Sequence, residues 1–415
     1  MKNKALAKTP PMGWNSWDCY GASVREDEVL GNAQYMADHL KAFGWDTVVV
    51  DIQWSEPTAD SADYHPFAPL VMDGYGRLMP AENRFPSAAG GRGFKPLADQ
   101  VHALGLKFGI HIMRGIPRQA VAANTPILGS DARAADIADQ QDVCLWNTDM
   151  YGVDPDKPGA QAYYDSLLAL YASWEVDFIK CDDMSAPRYH AGEVELLRSA
   201  INRCGRDIIL SLSPGDTPLE AGEHVRQHAS MWRISNDFWD SWEALKSQFV
   251  RLNKWTPFMG EDSWPDADML PLGQIGLRSH GGQRPTHFTR DEQLTMMSLW
   301  SIARSPLMMG GEMRLNDAWT LSLLTNADLI YMLNHSHGNA QLFHQDPLVI
   351  WGCQDDQGRA YRAFFNLGEE TFTCDADFFD LPPYTRAVDL WSQQARGRAG
   401  ELSIPAHGVK LLRLE

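Results

Sequence analysis

The chain has 415 residues, of which 36 are Lys or Arg and 54 are Asp or Glu, so its formal net charge is −18. This excess of negative charge disfavours binding to nucleic acids and to anionic membrane surfaces. Hydrophobic residues make up 44% of the chain and charged residues 22%, a balance that excludes global disorder and allows a sizeable core.

A unit of sequence recurs along the chain: an amphipathic helix, a short turn, and a brief apolar strand that ends in a polar residue. An opening strand is expected within residues 12–17. In the first unit, apolar residues at three- and four-residue spacing predict a helix over residues 25–43, and the strand 47–50 leads into Asp51. The second unit has the same order and ends at His111.

Two more units and three further apolar runs extend this pattern. The third unit has a helix over residues 162–174 and a strand that exits through Lys180 and Asp182. The fourth unit exits through Ser213. Further strands are predicted at residues 231–235, 257–260 and 306–309.

Eight such strands within about 325 residues predict an α/β fold, a (β/α)8 TIM barrel. Strands that are apolar on both faces and separated by helices are typical of a parallel sheet covered by helices. A doubly wound open sheet is the alternative, but no G-x-G-x-x-G motif follows any strand to support it.

Helical periodicity stops after about Leu333. Short alternating runs separated by turn residues then predict a C-terminal antiparallel β-sandwich domain. These runs lie at residues 348–351, 361–365, 371–374, 387–390 and 408–414. We therefore divide the chain into a barrel, residues 1–332, and a β-sandwich, residues 333–415.

The segment 112–160 is much longer than an ordinary connection between strand and helix, and it is rich in Gly, Pro, Asp and Asn. Loops of that length on a barrel usually serve the active site. We therefore expect a wall for the departing group of a substrate, built by Trp146, Asn147, Asp149 and Tyr151. In the alternative, Trp146 and Tyr151 only pin the loop to the barrel.

The six cysteines are scattered, with no C-x-x-C pair and no zinc-ligand spacing, which predicts reduced thiols and no structural metal. No run of 18 apolar residues occurs, and the N-terminal segment lacks the apolar core of a secretion signal. We expect a cytoplasmic protein.

Polar residues at the strand ends should converge at one mouth of the barrel, because active sites of this fold lie at the carboxyl ends of the strands. Several carboxylates, two cations and an indole ring suit a neutral ligand rich in hydroxyl groups. No phosphate-binding loop, H-E-x-x-H motif or serine nucleophile elbow is present. The converging residues are Trp17, Asp51, His111, Lys180, Asp182, Ser213, Arg233, Asp237 and Asp268.

Two carboxylates on either side of one bond are what glycoside hydrolysis requires. Asp182 is the candidate nucleophile, because Lys180 shares its strand face and can keep it ionised. Asp237 follows Arg233 where a strand gives way to a loop, and we expect it to be partly desolvated with the raised pKa of an acid. A helix cap or a surface salt bridge is the alternative role for each aspartate.

Several segments, in order along the chain, resemble glycoside hydrolase family 27, the α-galactosidases and α-N-acetylgalactosaminidases. They are PMGWNSW (11–17), VVVDIQW (48–54), FIKCDD (178–183), WRISNDFWDSW (232–242) and SWPDADML (263–270). SPLMMGGEMR (305–314) and HGVKLLRL (407–414) are similar to the last barrel strand and the C-terminal β domain of that family.

The resemblance implies that Asp182 is the nucleophile and Asp237 the acid/base of a retaining mechanism, with no metal or organic cofactor. It also implies a set of sugar-binding residues: Trp17, Asp51, Lys180, Arg233 and Asp268.

This chain departs from the family pattern at four positions. Ile52 stands where the family commonly has a second aspartate, and His111 where a tyrosine commonly ends the third strand. We expect His111 to bind the sugar in compensation, with a contact to a structural carboxylate as the alternative for both His111 and Arg114. Ser213 favours a bulky 2-acetamido group on the sugar, and Asp183 adds a charge to which the sequence assigns no role.

We conclude from the sequence that the protein is a retaining exo-α-glycosidase acting on terminal galactose-type residues. The alternatives are N-acetylgalactosaminides, L-arabinopyranosides or α-glucosides as substrates, or a barrel that binds sugars without turnover. The expected partner is a glycoside, with no nucleic acid or membrane, and a homo-oligomer stays open.

Overall fold

Eight parallel strands form the central sheet of the computed structural model, which describes residues 1–415. They are β1 Met12–Asn15, β2 Thr47–Val50, β3 Lys107–Met113, β4 Phe178–Asp182, β5 Ile209–Leu212, β6 Met231–Arg233, β7 Trp264–Asp266 and β8 Leu307–Met309. Their spatial order is β7-β6-β5-β4-β3-β2-β1-β8.

The sheet closes between the chain that leaves β7 and strand β8. Leu270 pairs with Met309 in parallel, the Leu270 N–H donates to the Met308 carbonyl at 2.8 Å, and the Gly310 N–H donates to the Leu270 carbonyl at 2.9 Å. The predicted barrel is confirmed.

One predicted strand is wrong. Residues 257–260 do not form a strand: Thr256–Phe258 is a turn of 3-10 helix, and β7 follows it at Trp264–Asp266. Pro257 has no N–H to donate to a neighbouring strand, so that apolar run is poorly suited to a central position. The true strand, β7, also contains a proline, Pro265, which made it hard to recognise from the sequence. Pro265 nevertheless pairs with Trp232 of β6.

Twelve helices accompany the strands, and none of them is both long enough and apolar enough to span a bilayer. They are α1 Trp17–Tyr20, α2 Glu26–His39, α3 Lys95–Ala103, α4 Arg118–Ala123, α5 Ala134–Ile137, α6 Ala160–Ser173, α7 Ala191–Arg203, α8 Gly222–His228, α9 Trp242–Trp255, α10 Arg290–Ile302, α11 Ala318–Leu324 and α12 Ala327–His335. Helix α10 begins at a capping box, in which the Thr289 hydroxyl accepts from the Glu292 N–H and the Glu292 carboxylate accepts from the Thr289 N–H.

The chain changes architecture between His335, the end of α12, and Ser336, where antiparallel strands begin. Six of these strands form one sheet in the order β9-β10-β11-β16-β13-β14, and β12 pairs with β15, in agreement with the predicted β-sandwich domain. The strands are β9 Ser336–Gln345, β10 Leu348–Asp355, β11 Ala360–Asn366, β12 Phe372–Asp375, β13 Ala387–Asp389, β14 Ala395–Arg396, β15 Glu401–Ile404 and β16 Val409–Leu414.

The barrel and the C-terminal sheets share a hydrophobic core, because one cluster of 87 buried residues includes side chains from both. Phe249 of α9 packs edge-to-face on Phe365 of β11, with ring centroids 4.9 Å apart. The Trp242 ring stacks on His407 at 3.9 Å, and His407 Nδ1 lies 2.8 Å from a carboxylate oxygen of Glu292. We expect the two parts to unfold together.

Phe365→Ala should lower the free energy of unfolding of the whole chain by about 3–5 kcal/mol, the usual effect of removing a buried phenylalanine. Denaturant unfolding is followed by tryptophan fluorescence and by residual activity. In the native protein and in Phe365→Ala, the two signals should show one coincident transition. Phe378→Ala is the control, since Phe378 is 85% exposed and its removal should change stability little. Two separated transitions, with activity surviving the first, would contradict the shared core.

Candidate active site

A cavity of about 550 Å³ opens at the carboxyl ends of the barrel strands. Most of the residues predicted at the strand ends line it together, although they are far apart in sequence. These are Trp17, Asp51, Lys180, Asp182, Arg233, Asp237 and Asp268.

Asp51 follows β2 and is held by three donors on one side of the cavity. The Lys180 ammonium donates to Asp51 Oδ2 at 2.9 Å, the Asn15 amide donates to the same oxygen at 2.6 Å, and the Ile52 N–H donates to Oδ1 at 2.9 Å. Burial alone would raise the pKa of Asp51, but the charges of Lys180 and His111 outweigh it and lower that pKa. Asp51 is therefore an ionised acceptor for a ligand hydroxyl.

Asp182, the predicted nucleophile, closes strand β4. His111 Nε2 lies 3.0 Å from Asp182 Oδ2, and the Asp183 N–H donates to Oδ1 at 3.1 Å. Burial would raise the pKa of this carboxyl, but the hydrogen bond and charge of His111, with Lys180, lower it to about 2. Asp182 is thus ionised at neutral pH, as a nucleophile must be.

The structure does not place His111 or Ser213 on the cavity wall, unlike the sequence prediction. His111 is only 1% exposed, and its ring lies behind Asp182. The reason is the register of β3, which sets His111 opposite Lys180 and brings its imidazole to the neighbouring carboxylate. Ser213 is buried with an unpartnered hydroxyl, and the adjacent Pro214 occupies the wall.

Arg233 organises the opposite side of the cavity. Its Nη2 lies 2.8 Å from Asp268 Oδ2 and 3.2 Å from Asp237 Oδ1, and the Phe238 N–H donates to Asp268 at 2.7 Å. Burial, with the nearby charge of Asp237, outweighs Arg233 and raises the pKa of Asp268 to about 7.

Asp237, the predicted acid, lies at the open mouth of the cavity. Its side chain is 59% exposed, so the expected desolvation is not found. The carboxyl is thus accessible to a group that leaves towards solvent.

The Arg114 guanidinium is the cationic partner of Asp183, the carboxylate without an assigned role in the sequence. The buried guanidinium lies 2.8 Å from Asp183 Oδ2, 2.7 Å from Glu193 Oε1 and 3.0 Å from Asp142 Oδ2. Burial still outweighs Arg114 and raises the pKa of Asp183. Asp183 has a φ of +60°, a left-handed conformation that aspartate tolerates better than most residues. Anchoring its side chain fixes the N–H that Asp183 donates to Asp182.

A rim of aromatic side chains surrounds the mouth. Trp17 stacks on Tyr64 with centroids 5.9 Å apart, and Tyr64 contacts Trp146 at 5.7 Å. His280 lies 6.0 Å from Trp17 and 5.6 Å from Trp239. Trp146 was anticipated as a wall residue, whereas Tyr64, Trp239 and His280 were missed because they lie in loops without periodicity.

The cavity has one apolar end, beside Asp51. Ile52 lines this end and packs with three other buried side chains, those of Met113, Cys144 and Met150. Three partly buried aromatic residues pack against this cluster: Trp17, Tyr64 and Trp146. A sugar in the cavity would therefore meet charged groups around most of its ring and hydrocarbon at this end.

Three clusters of histidine and carboxylate groups elsewhere have atoms close enough to share a metal ion: Glu195, His224 and His228; Asp99, His102 and Glu175; and Asp142, His190 and Glu193. None of their residues lines the cavity. Two members of the last cluster already bind the Arg114 guanidinium.

Two family profiles match the chain: one described as "Alpha galactosidase A" over residues 155–335, and one described as the "Alpha galactosidase C-terminal beta sandwich domain" over residues 345–414. The chain is also 28% identical to an α-galactosidase of Coffea arabica, over 98% of this chain and 93% of that protein.

Two solved structures resemble the whole chain. A GH27 β-L-arabinopyranosidase from Geobacillus stearothermophilus is 56% identical, with a TM-score of 0.96 over 99% of this chain and 97% of its own. A putative α-N-acetylgalactosaminidase from Bacillus halodurans C-125 is 50% identical, with a TM-score of 0.90 over 100% and 99% of the two chains.

His111→Phe should raise the pKa of Asp182, because it removes the hydrogen bond and charge that oppose the effect of burial. A hydrogen bond to a charged group contributes about 1.5–3 kcal/mol, or about one to two pKa units. The acid limb of kcat/KM, measured on aryl glycosides, should move upward by that amount. At a fixed pH, the decrease in kcat/KM should be equal for glycosides of sugars with and without a 6-hydroxymethyl group.

His102→Phe is the matched control, since His102 makes a similar contact with Asp177, at 2.7 Å, away from the cavity. Its acid limb should stay in place. An unchanged acid limb in His111→Phe, with only KM increased, would return His111 to the sugar-binding role.

Proposed function

This chain belongs to glycoside hydrolase family 27, and on that premise we propose that it removes terminal β-L-arabinopyranosyl residues from glycosides, and α-D-galactosyl residues less efficiently. The observation that carries the choice of sugar is the side chain of Ile52, which is buried in an apolar cluster and faces the cavity beside Asp51.

The two sugars differ only at that end of the ring. A β-L-arabinopyranoside has the ring hydroxyls of an α-D-galactoside but lacks its 6-hydroxymethyl group. The charged side of the cavity offers Asp51 and Lys180 to the ring hydroxyls, whereas Ile52 offers no partner to a 6-hydroxyl. A buried hydroxyl without a partner costs about 1–3 kcal/mol, which favours the pentose.

The geometry gives less support to an N-acetylgalactosaminide. Ser213, the residue that favours that sugar in the sequence, has its hydroxyl enclosed away from the cavity, and Pro214 lines the wall instead. Arg233 and Asp268 line the cavity 2.8 Å apart and together offer donors and acceptors suited to hydrogen bonding with a free hydroxyl.

For the reaction we propose double displacement with retention. The ionised Asp182 carboxylate attacks the anomeric carbon, the glycosidic bond breaks, and Asp237 gives its proton to the leaving oxygen. Asp237 then takes a proton from water, which attacks the anomeric carbon and releases the sugar and Asp182. The low pKa of Asp182 and the exposure of Asp237 at the mouth support this division of roles.

Removing each carboxyl should separate the two roles. Asp182→Gly should lose hydrolysis of all glycosides, and azide should restore turnover with an azide product of inverted anomeric configuration, because azide fills the vacated face. Asp237→Ala should be mild for activated aryl leaving groups and severe for alkyl ones, with an azide product of retained configuration. The products are identified by NMR.

Asp63→Ala is the control, because Asp63 is another exposed carboxylate on the cavity wall. It should keep its activity and give no azide product. The opposite stereochemistry in the two catalytic variants would exchange the roles of Asp182 and Asp237.

Ile52→Asp should change the choice of sugar. We expect the native enzyme to favour nitrophenyl β-L-arabinopyranoside over α-D-galactopyranoside by about tenfold or more in kcat/KM. The substitution should lower this ratio by at least about tenfold, since a carboxylate can accept from the 6-hydroxyl.

Ile52→Val is the control and should keep the native ratio, because it preserves the apolar end of the cavity. The α-N-acetylgalactosaminide and α-glucoside complete the substrate panel. Faster turnover of either, or a native preference for the galactoside, would contradict the assignment to L-arabinopyranosides.

A further inference from the structure

We propose that Asp18 is an additional sugar-binding residue, whose carboxyl forms a hydrogen bond with a ring hydroxyl of the bound glycone. Asp18 follows Trp17 at the start of helix α1 and lines the catalytic cavity, but the sequence analysis gave it no role. This inference rests on the proposed function, because it concerns the same cavity.

The carboxyl of Asp18 has hydrogen-bonding capacity that the folded chain does not use. The residue is only 3% exposed, and its Oδ2 is enclosed without any hydrogen-bond partner. Few buried polar groups are left in this state, because an unpaired carboxyl loses its hydration and gains nothing in return. This enclosed oxygen lies against Gly310, so a substrate hydroxyl would bind the carboxyl through its other oxygen, on the cavity side.

The Asp18 carboxyl occupies space that a side chain at Gly310, after strand β8, would otherwise fill. Gly310 follows β8, and a Cβ at that position would lie 1.9 Å from Asp18 Oδ2. Any side chain at residue 310 would therefore displace the carboxyl, so the absence of a side chain there keeps Asp18 beside the cavity.

The charges around Asp18 favour its neutral form. The carboxyls of Asp268, Asp237 and Asp51 all raise its pKa, while Lys180 lowers it; the Arg284 guanidinium also interacts electrostatically with Asp18. Burial, reinforced by Asp268 and Asp237, raises the pKa of Asp18 well above its usual range. A protonated carboxyl can donate a hydrogen bond, which an ionised carboxylate such as Asp51 cannot.

A neutral Asp18 would add a hydrogen-bond donor to the two charged donors on the cavity wall, Lys180 and Arg233. An ionised carboxylate such as Asp51 uses the proton of a sugar hydroxyl, and the hydroxyl oxygen then requires a donor of its own. Lys180 and Arg233 supply charged donors, and a neutral Asp18 between β1 and β8 would add one more. Its charged neighbours belong to the polar side of the cavity, which points to a ring hydroxyl rather than the apolar end at Ile52.

Two near-isosteric variants test the proposal through the competitive inhibition constants of free L-arabinose and D-galactose. Asp18→Asn keeps a neutral donor and acceptor, and its inhibition constants should stay within about threefold of native. Asp18→Leu removes both functions, and its inhibition constants should rise by at least about tenfold.

Thermal unfolding distinguishes binding from a structural role. Because the Asp18 carboxyl makes no hydrogen bond in the fold, Asp18→Leu should melt no earlier than the native protein. Ser301→Ala is the control: it removes another buried, unpartnered polar group, on α10, and should change neither inhibition constant.

The outcomes separate this inference from the proposed function. Native sugar binding that is unchanged in Asp18→Leu would overturn the role of Asp18 alone. An equal loss in Asp18→Asn and Asp18→Leu would overturn the neutral donor, and a large fall in the melting temperature of Asp18→Leu would make Asp18 structural. Failure of the native enzyme to bind or release either sugar would overturn the proposed function.

Discussion

The chemistry of the site depends on keeping one partly buried carboxylate, Asp182, ionised. Asp182 lies at the end of a barrel strand, where loss of water favours its neutral form. His111 and Lys180 reverse that effect from one side, and the Asp183 N–H contributes from the backbone. Arg114, which also binds Glu193, then holds Asp183 in place. Contacts outside the cavity therefore position a hydrogen-bond donor to the charged Asp182 carboxylate.

Much of this arrangement could be predicted from the sequence, because it follows from strand geometry. The end of each parallel strand lies on the same edge of the barrel, which was enough to bring Asp51, Lys180 and Asp182 together. The direction of a particular side chain depends on register with the neighbouring strand, which one sequence does not reveal. His111 and Ser213 were therefore assigned to the sugar when both are enclosed behind the wall.

Other features had little or no local signal in the sequence. Pro265 concealed β7, and the apolar run at Pro257 imitated a strand that does not form. The buried position of Asp18 depends on Gly310, nearly three hundred residues away, and the exposure of Asp237 depends on how the loop after β6 folds. These are tertiary effects, which override local pattern.

The origin of the aromatic rim has an evolutionary consequence. The charged groups around Asp182 lie at or next to strand ends, whereas Tyr64, Trp146, Trp239 and His280 are carried by four separate loops. Surface loops tolerate insertion and replacement far better than barrel strands do. Descendants of this gene can therefore exchange rim segments one at a time and acquire new specificities at the entrance, while the inherited chemistry at the bottom of the barrel stays intact.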